Sequence, residues 1–528
     1  MKTTIYECAD GTPFPVNWVR PEYEEAAWAF NDSHLPKPEP PLVVALREMA
    51  DHVCRGVFTE AGVEPFAIFT GWQWAQGFQY FRSARPSPEG LQQLVRGYDR
   101  MREEYGGNIG IWERYCLPKT RSSCEFLAGA PDDASLRGIA EVAEYGFLQT
   151  LLSGTSLTGR IGIQALLAPA YGAEAELKTF ELMQGGSNAT LDVDQEVWGL
   201  AERVRRSEAL RQLFEKMEGE ELLAALQSEP DGASFMVAFR ALIERHASRA
   251  QGWSAMDRTW GERPEAALGL IRSQVLHETQ APAAAMAASK RHSEATLAEV
   301  EARVDPAIHG PLRGLVAQME HYVEIREGRA YWQMVNRGRL REALLRQGER
   351  LVRAGAIDQA EAVFFLLPGE VEQARPGDLR AATAERRKEW EYWAAKEPPP
   401  EIGAAPVGPG LLSNPALPAD HDRQIRGTAA SRGTVTAKAR LLASPEDGDR
   451  LGPGEVLVCQ MTTPAWTPLF SIAGAVVTET GAALSHPAIA AREYGIPCVV
   501  GARGALERIR DGQLVTVDGL AGTVELLD

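Results

Sequence analysis

Near residue 426 the period of the hydrophobic pattern changes, and that change limits what the 528-residue chain can fold into. From about residue 42 to residue 397, apolar residues recur at i, i+3, i+4 and i+7, as in LRGIAEVAEYGFLQTLL, EVWGLAERVRRSEALRQLF and GRLREALLRQGERLVRAG. That is the period of amphipathic helices. Beyond residue 426 the texture is of short Val-rich runs (TVTAKARLLA, EVLVCQ, AGAVVTE, PCVVG, LVTVDG) closed by Gly, Pro or Asp, which read as buried strands. Helices are expected between them at His486 to Tyr494 and around Ala505 to Arg510. Residues 398–425 hold seven prolines and three glycines without a sustained period, the composition of a semi-rigid connector. A chain of this length also exceeds one compact core of roughly 250–300 residues. The expected architecture is therefore multidomain: a large, mostly α-helical domain over 1–397, a linker over 398–425 and a small α/β domain over 426–528.

Two stretches depart from this pattern. Prolines bracket the segment from Thr12 to about Leu42, where Trp18, Trp28 and Phe30 fall on helical spacing, so a short amphipathic stretch wrapping onto a larger body is expected. The run EPFAIFTGWQWAQGFQYF, residues 64 to 81, is aromatic and β-branched enough to supply a strand pair.

Charge and cysteine usage exclude several classes of function. A formal charge of −17 argues against a nucleic-acid binder, which needs clustered Lys and Arg, and against an anionic membrane surface. The six cysteines are scattered without a CxxC pair, so neither a zinc knuckle nor a disulfide framework is indicated. With no apolar run long enough to span a bilayer and no signal-like N-terminus, a cytoplasmic location is expected.

Chemistry concentrates in the stretch TETGAALSHPAIAAREYGIPCVVG, residues 478 to 501. A buried strand runs into a turn of small residues, and Ser485 stands at the N-cap position of a helix starting at His486 or Pro487. A ring placed there meets unpaired backbone N–H groups and the positive end of the helix dipole, which stabilise a phosphoryl group bound to it. Thr480, Gly481 and Ala482 form the loop in front of the ring, Gly481 and the alanines keeping bulk away from the phosphate. Arg492 lies six residues after His486, equally suited to a phosphate contact or to a salt bridge with Glu493.

This run, with GTAASRGTVTAKARLL and GEVLVCQMTTPAWTPLF before it and DGQLVTVDGLAGTVELL after it, resembles the mobile phosphohistidine domain of the phosphoenolpyruvate-utilising enzymes over residues 426 to 528. The resemblance implies that His486, with the hydroxyl of Ser485 beside it, takes phosphate from ATP at a separate nucleotide domain and carries it to a distant acceptor. Two positions depart from the family pattern: the acidic residue is Glu479 rather than Asp, and Ala482 replaces the second glycine of a Gly-Gly pair. Glu479, with PAWTPLF upstream and REYGIP downstream, is most similar to the subgroup that contains rifampin phosphotransferase and phenylphosphate synthase.

FPVNWVRPEYEEAAWAFNDSHLPKP, LMQGGSNATLDVDQEVWGLA, RTWGERPEAAL and YVEIREGRAYWQMVNRGRLREALL extend the likeness, more loosely, to that subgroup's acceptor-binding region. Arg326 and Arg329, at i and i+3 on one helix, are candidates to meet the transferring phosphoryl, and Tyr331 and Trp332 to line an acceptor pocket. The resemblance matches Arg326 to an arginine of the subgroup, whereas a lysine that follows there is not reproduced. His34 is a candidate base for the acceptor hydroxyl; His309 and His321 read as structural or exposed.

Residues 1–397 show no Gly-rich phosphate loop followed by strand-borne Lys and Arg, the pairs Gly106-Gly107 and Gly185-Gly186 being too weak a signal. ATP and Mg2+ are therefore expected mainly on an ATP-grasp partner subunit, and no metal site is expected in this chain. The implied activity is that of the phosphohistidine and acceptor-binding subunit of a two-component phosphotransferase acting on a small hydroxylated, aromatic acceptor such as a phenol. A rifamycin-like acceptor and a phosphocarrier that relays phosphate to another protein are the competing expectations.

Overall fold

The computed structural model describes residues 2–31, 34–63, 72–82, 88–186, 189–250, 252–277, 281–319, 321–373, 377–404 and 423–527. The chain divides into two compact units, one comprising Met1–Ser153, Gly252–Arg258 and Trp332–Pro415, the other Gly154–Gln251, Thr259–Tyr331 and Ala416–Asp528. The single helical domain expected over 1–397 is thus shared between two units. Periodicity shows that a helix has a face to bury but not which neighbour covers it. Most of the connector expected over 398–425, residues 405–422, lies outside the described residues; the short strands Glu401–Gly403 and Gln424–Arg426 flank it.

In the first unit, the hairpin of Thr3–Glu7 with Pro13–Asn17 joins a four-stranded antiparallel sheet ordered Trp72–Ala75, Phe78–Arg82, Ala27–Phe30, Glu401–Gly403 around one aromatic core. Phe14, Val16, Trp18, Trp28, Phe78, Tyr80 and Trp393 are buried in that core. The helical spacing of Trp18, Trp28 and Phe30 was therefore misleading, because these rings sit in or beside strands. Pro13–Asn17 alternates exposed and buried side chains, the two-residue period of a sheet. Of the strand pair expected near residues 64 to 81, Trp72–Ala75 and Phe78–Arg82 form one, and residues 64–71 lie outside the described residues. A second core gathers Leu42, Leu46, Leu136, Ile139, Leu340, Leu344 and Phe364 from helices Pro41–Met49 and Leu136–Gln149, the later part of Tyr322–Arg353, and the turn at Ala360–Phe365.

The second unit combines helices with an eight-stranded sheet. Its four central strands, Thr434–Leu441, Val456–Cys459, Ala475–Thr478 and Cys498–Val500, run parallel, and antiparallel strands flank them on both sides. Val456–Cys459, Ala475–Thr478 and Cys498–Val500 are buried along their whole length, which is why they read as continuous apolar runs. Val456, Val458, Val477 and Val499 fill one face with Val515, Val517 and Val524. Leu457, Cys459, Val476 and Val500 fill the other, in a cluster shared with Val197, Leu200, Phe239, Leu268 and Ile271 of the helices. Helix His486–Tyr494 crosses between two parallel strands, as a βαβ unit requires. All six cysteines are buried free thiols, and no helix among the described residues is long and apolar enough to cross a membrane.

Candidate phosphohistidine site

The strand Ala475–Thr478 delivers the chain into the turn that carries the candidate histidine. Gly481 adopts φ +111°, and a Cβ there would stand 2.9 Å from the Ser485 hydroxyl, so this position needs glycine. Hydrogen bonds internal to the domain hold the turn: Thr478 Oγ1 donates to the Thr480 carbonyl at 2.7 Å, Thr480 Oγ1 to the Gln460 carbonyl at 3.1 Å, and Ser485 Oγ to the Ala482 carbonyl at 2.7 Å. Ser485 occupies the expected N-cap position but its side chain does not cap the helix. The helix His486–Tyr494 has Pro487 in its first turn and closes on Gly495 at φ +68°. Glu479 accepts from the Leu506 N–H at 2.8 Å, a structural contact with the following short helix.

Arg492 does not lie open to a phosphate. Its Nε donates to the Ala430 carbonyl at 2.6 Å and its Nη2 to the Ala483 carbonyl at 2.5 Å, and its guanidinium lies 4.1 Å from the Phe180 ring centroid. Burial lowers this guanidinium to about 10. Both the phosphate contact and the Glu493 salt bridge are replaced by a brace that ties the His486 loop to strand Thr428–Ser431. A residue six positions along a helix lies about one and two-thirds turns on, off the face of the first.

His486 is buried and held from both sides of its ring. Nδ1 lies 2.8 Å from Glu327 Oε2 and Nε2 lies 3.1 Å from Thr467 Oγ1, with Phe470 edge-on at 6.3 Å. An ionised carboxylate only accepts, so Nδ1 carries a proton toward Glu327. The Thr467 hydroxyl also lies 3.0 Å from the Pro464 carbonyl and has one proton to give, to that carbonyl or to Nε2. Burial pushes the Glu327 carboxyl up, but His486, Arg326 and Thr190 together hold it below the usual carboxylate range.

Consecutive residues of helix Tyr322–Arg353 grip this loop. Arg326 Nη2 donates to the Leu484 carbonyl at 3.0 Å, two residues before His486, while Glu327 takes the ring. Arg326 is thus brought to the site expected of it, through the loop backbone. Arg329 follows on the same helix, half-buried. Tyr331 lies 3.2 Å through its hydroxyl from His246 Nδ1 and packs against the apolar cluster of the second unit, whereas Trp332 belongs to the first unit and lies under the Arg121 guanidinium at 5.1 Å. His34 is exposed in the first unit, 3.1 Å from Asn31 Oδ1 and edge-on to Trp253 at 5.4 Å. His321 is exposed against Glu324 at 2.9 Å.

Sequence reasoning missed Glu327 and Thr467. Glu327 adjoins Arg326 in the YVEIREGRAYW run and Thr467 lies within PAWTPLF, but their convergence on His486 joins three distant segments. Among the described residues no group of three His, Cys, Asp or Glu side chains is placed to hold a metal ion. The single carboxylate and the threonine hydroxyl around His486 do not make a magnesium site.

The histidine thus stands at the start of a βαβ crossover helix, with a carboxylate from helix Tyr322–Arg353 on its ring. Residues 451–522 match the family described as PEP-utilising enzyme, mobile domain, and residues 147–327, ending on Glu327 itself, match the rifampicin phosphotransferase fourth domain. The chain is 28% identical over 378 residues to an uncharacterized phosphotransferase, YvkC, of Bacillus subtilis, covering 69% of this chain and 45% of that protein. It is 31% identical over 352 residues to a rifampicin phosphotransferase of a Streptomyces species, covering 64% of this chain and 40% of that one. Chondramide synthase cmdD of Chondromyces crocatus aligns at 28% identity with 97% of this chain, which is 14% of that protein. The chain spans less than half the length of each of these relatives.

Proposed function

We propose that this chain is the phosphohistidine and acceptor-binding part of an ATP-dependent phosphotransferase, with His486 as the phosphoryl carrier. The observation that supports it most is the His486 clasp: Glu327 occupies Nδ1, which leaves Nε2 as the nitrogen that forms the P–N bond. An ATP-grasp partner subunit holds ATP and Mg2+, loads His486 and releases AMP and phosphate, and the domain over 426–528 swivels to bring the loaded ring to Glu327. Transfer then depends on in-line positioning and on charge stabilisation, since the only covalent intermediate is the phosphohistidine.

The acceptor is a hydroxyl compound. A phenol is one candidate; a rifamycin is the other, and the match to the rifampicin phosphotransferase fourth domain together with relatives of that name favours it. The test is incubation with β-labelled ATP, Mg2+ and a co-encoded ATP-grasp protein, comparing wild type with His486→Ala. Acid-labile, base-stable label that requires both the partner and His486 is expected. Equal labelling of the alanine variant, or no labelling of wild type by a competent partner, would sink the reading. Panels of phenols and rifamycins added to the labelled protein then identify the acceptor.

A further inference from the structure

The two nitrogens of the His486 ring are held by different parts of the chain. Thr467, 3.1 Å from Nε2, lies in the same α/β domain as the ring, at the start of the short helix Thr467–Phe470. The bonds that hold the His486 loop, from Thr478, Thr480 and Ser485, are internal to that domain as well. Glu327, 2.8 Å from Nδ1, comes instead from helix Tyr322–Arg353 of the helical region. A swivel of the domain over 426–528 therefore carries Thr467 along with the ring and leaves Glu327 behind. The partner of Nδ1 is present in the docked position and lost outside it.

The surroundings of Glu327 suit it to meet a cation at that nitrogen. Its carboxylate is buried, and among the described residues Oε1 has no hydrogen-bond partner. Oε2 accepts from the ring and, at 3.4 Å, from the Thr190 hydroxyl. Arg326, next to it on the helix, spends Nη2 on the Leu484 carbonyl, and among the described residues no Lys or Arg forms an ion pair with Glu327. Besides Arg326, the groups that interact with it electrostatically include the carboxyls of Asp194 and Glu493. A buried carboxylate without a counter-charge in contact is costly, and a protonated imidazole at 2.8 Å relieves that cost.

We propose that Glu327 is a positioning residue that keeps the Nδ1 proton on the loaded ring, so that His486 is a fast phosphoryl donor where its domain docks and a slow one while it travels. This rests on the carrier role of His486 proposed above. A phosphoryl group on imidazole is acid-labile and base-stable because a protonated ring leaves phosphorus as a neutral molecule, whereas an unprotonated ring must leave as an anion. A carboxylate at Nδ1 gives the bond its acid-side reactivity at neutral pH. In the step, a P–O bond forms to the acceptor oxygen as the P–Nε2 bond breaks, and the electron pair of that bond stays on Nε2. The ring leaves as neutral imidazole with its proton still on Nδ1, and the hydroxyl proton passes to water. Away from Glu327 the loaded ring returns its Nδ1 proton to water, which protects the phosphoryl group from hydrolysis in transit.

The test uses the full chain, loaded on His486 with phosphoramidate, which releases ammonia as the P–N bond to the ring forms. Decay of the phosphohistidine signal is followed by 31P NMR between pH 7 and pH 9 with phenol present, whether phenol or water takes the group. An unassisted imidazole, half-protonated near about pH 6.5, loses about 10-fold in protonated fraction per pH unit above that, so decay in the denatured chain should slow by about 100-fold across the range. Native wild type should change by less than about 3-fold, because the carboxylate favours the charged ring. Glu327→Gln should load and then slow with pH as the denatured chain does. Glu327→Asp keeps the charge and should give a profile flatter than that of the denatured chain, so the test survives a glutamine variant that does not fold. A glutamine variant as flat as wild type would overturn the assignment, as would an aspartate variant or a wild type that slows with the denatured chain. Failure of wild type to load would instead remove the carrier role of His486, and this assignment with it.

Discussion

Two buried arginines, one in each unit, show how differently the same charge is used. Arg337 is fully buried in the first unit, with Nη1 2.7 Å from Glu144 Oε1 and its guanidinium 4.2 Å from the Phe147 ring. Burial pushes the Glu144 carboxyl up, but Arg337 and Arg47 more than offset it, so that carboxylate stays charged and paired. Arg249 is buried in the second unit with the Trp260 ring 4.9 Å beneath it, and among the described residues no ion pair holds it. A buried charge that meets its counter-charge serves the fold. One without a carboxylate in contact leaves its desolvation cost without that offset.

Stability measurements separate the two most directly. Arg337→Met leaves Glu144 charged and uncompensated, and should cost about 3–5 kcal/mol in denaturant unfolding. Arg249→Met, which breaks no ion pair, should fall within about 1 kcal/mol of wild type or stabilise the chain. Equal losses would erase the distinction.

Glu493 is an intermediate case, a buried acid held by the Gly185 N–H at 3.1 and 3.2 Å. Burial pushes it up to about 7, with Glu327 adding to the rise and Arg492 opposing it. A carboxyl raised in the folded state contributes fully below its ordinary value near 4.5, and that contribution is lost as pH rises through about 7. Wild type should therefore lose up to about 3 kcal/mol between pH 5 and pH 8, and Glu493→Gln should be flat over the same window. A parallel decline in both would mean that another group titrates.

A loss is also expected at the turn. Gly481→Ala forces a side chain into φ +111° against Ser485 Oγ, and should lower stability by about 1–2 kcal/mol, read as a drop in Tm. An unchanged Tm would show that the turn relaxes without strain.

Much of the domain that carries His486 was legible because its determinants are contiguous. The strand, Gly481, the N-cap position of Ser485, His486 and the closing Gly495 lie within one crossover, where local rules dictate the conformation. Arg326 was singled out as a residue on a periodic helix and donates in the structure to the Leu484 carbonyl, while its neighbour Glu327 passed unnoticed because adjacency on a helix does not reveal which residue faces the ring. Arg492 misled because a cation near a phosphate motif reads alike whether it meets phosphate or, as here, backbone carbonyls. The spacing of Trp18, Trp28 and Phe30 misled because a few large rings fit more than one period.

The sequence by itself determined that a helical region precedes a small parallel-sheet domain, and that a histidine stands at the start of a crossover helix in that domain. Periodicity, turn glycines and caps are short-range effects, and a chain displays them in order. Only the tertiary structure decided that Glu327 clasps His486 and that helices 154–251 and 259–331 pack with the sheet. Those facts depend on side chains that are far apart in sequence meeting in a low-dielectric interior, where pairing or its absence sets the energy of each charge.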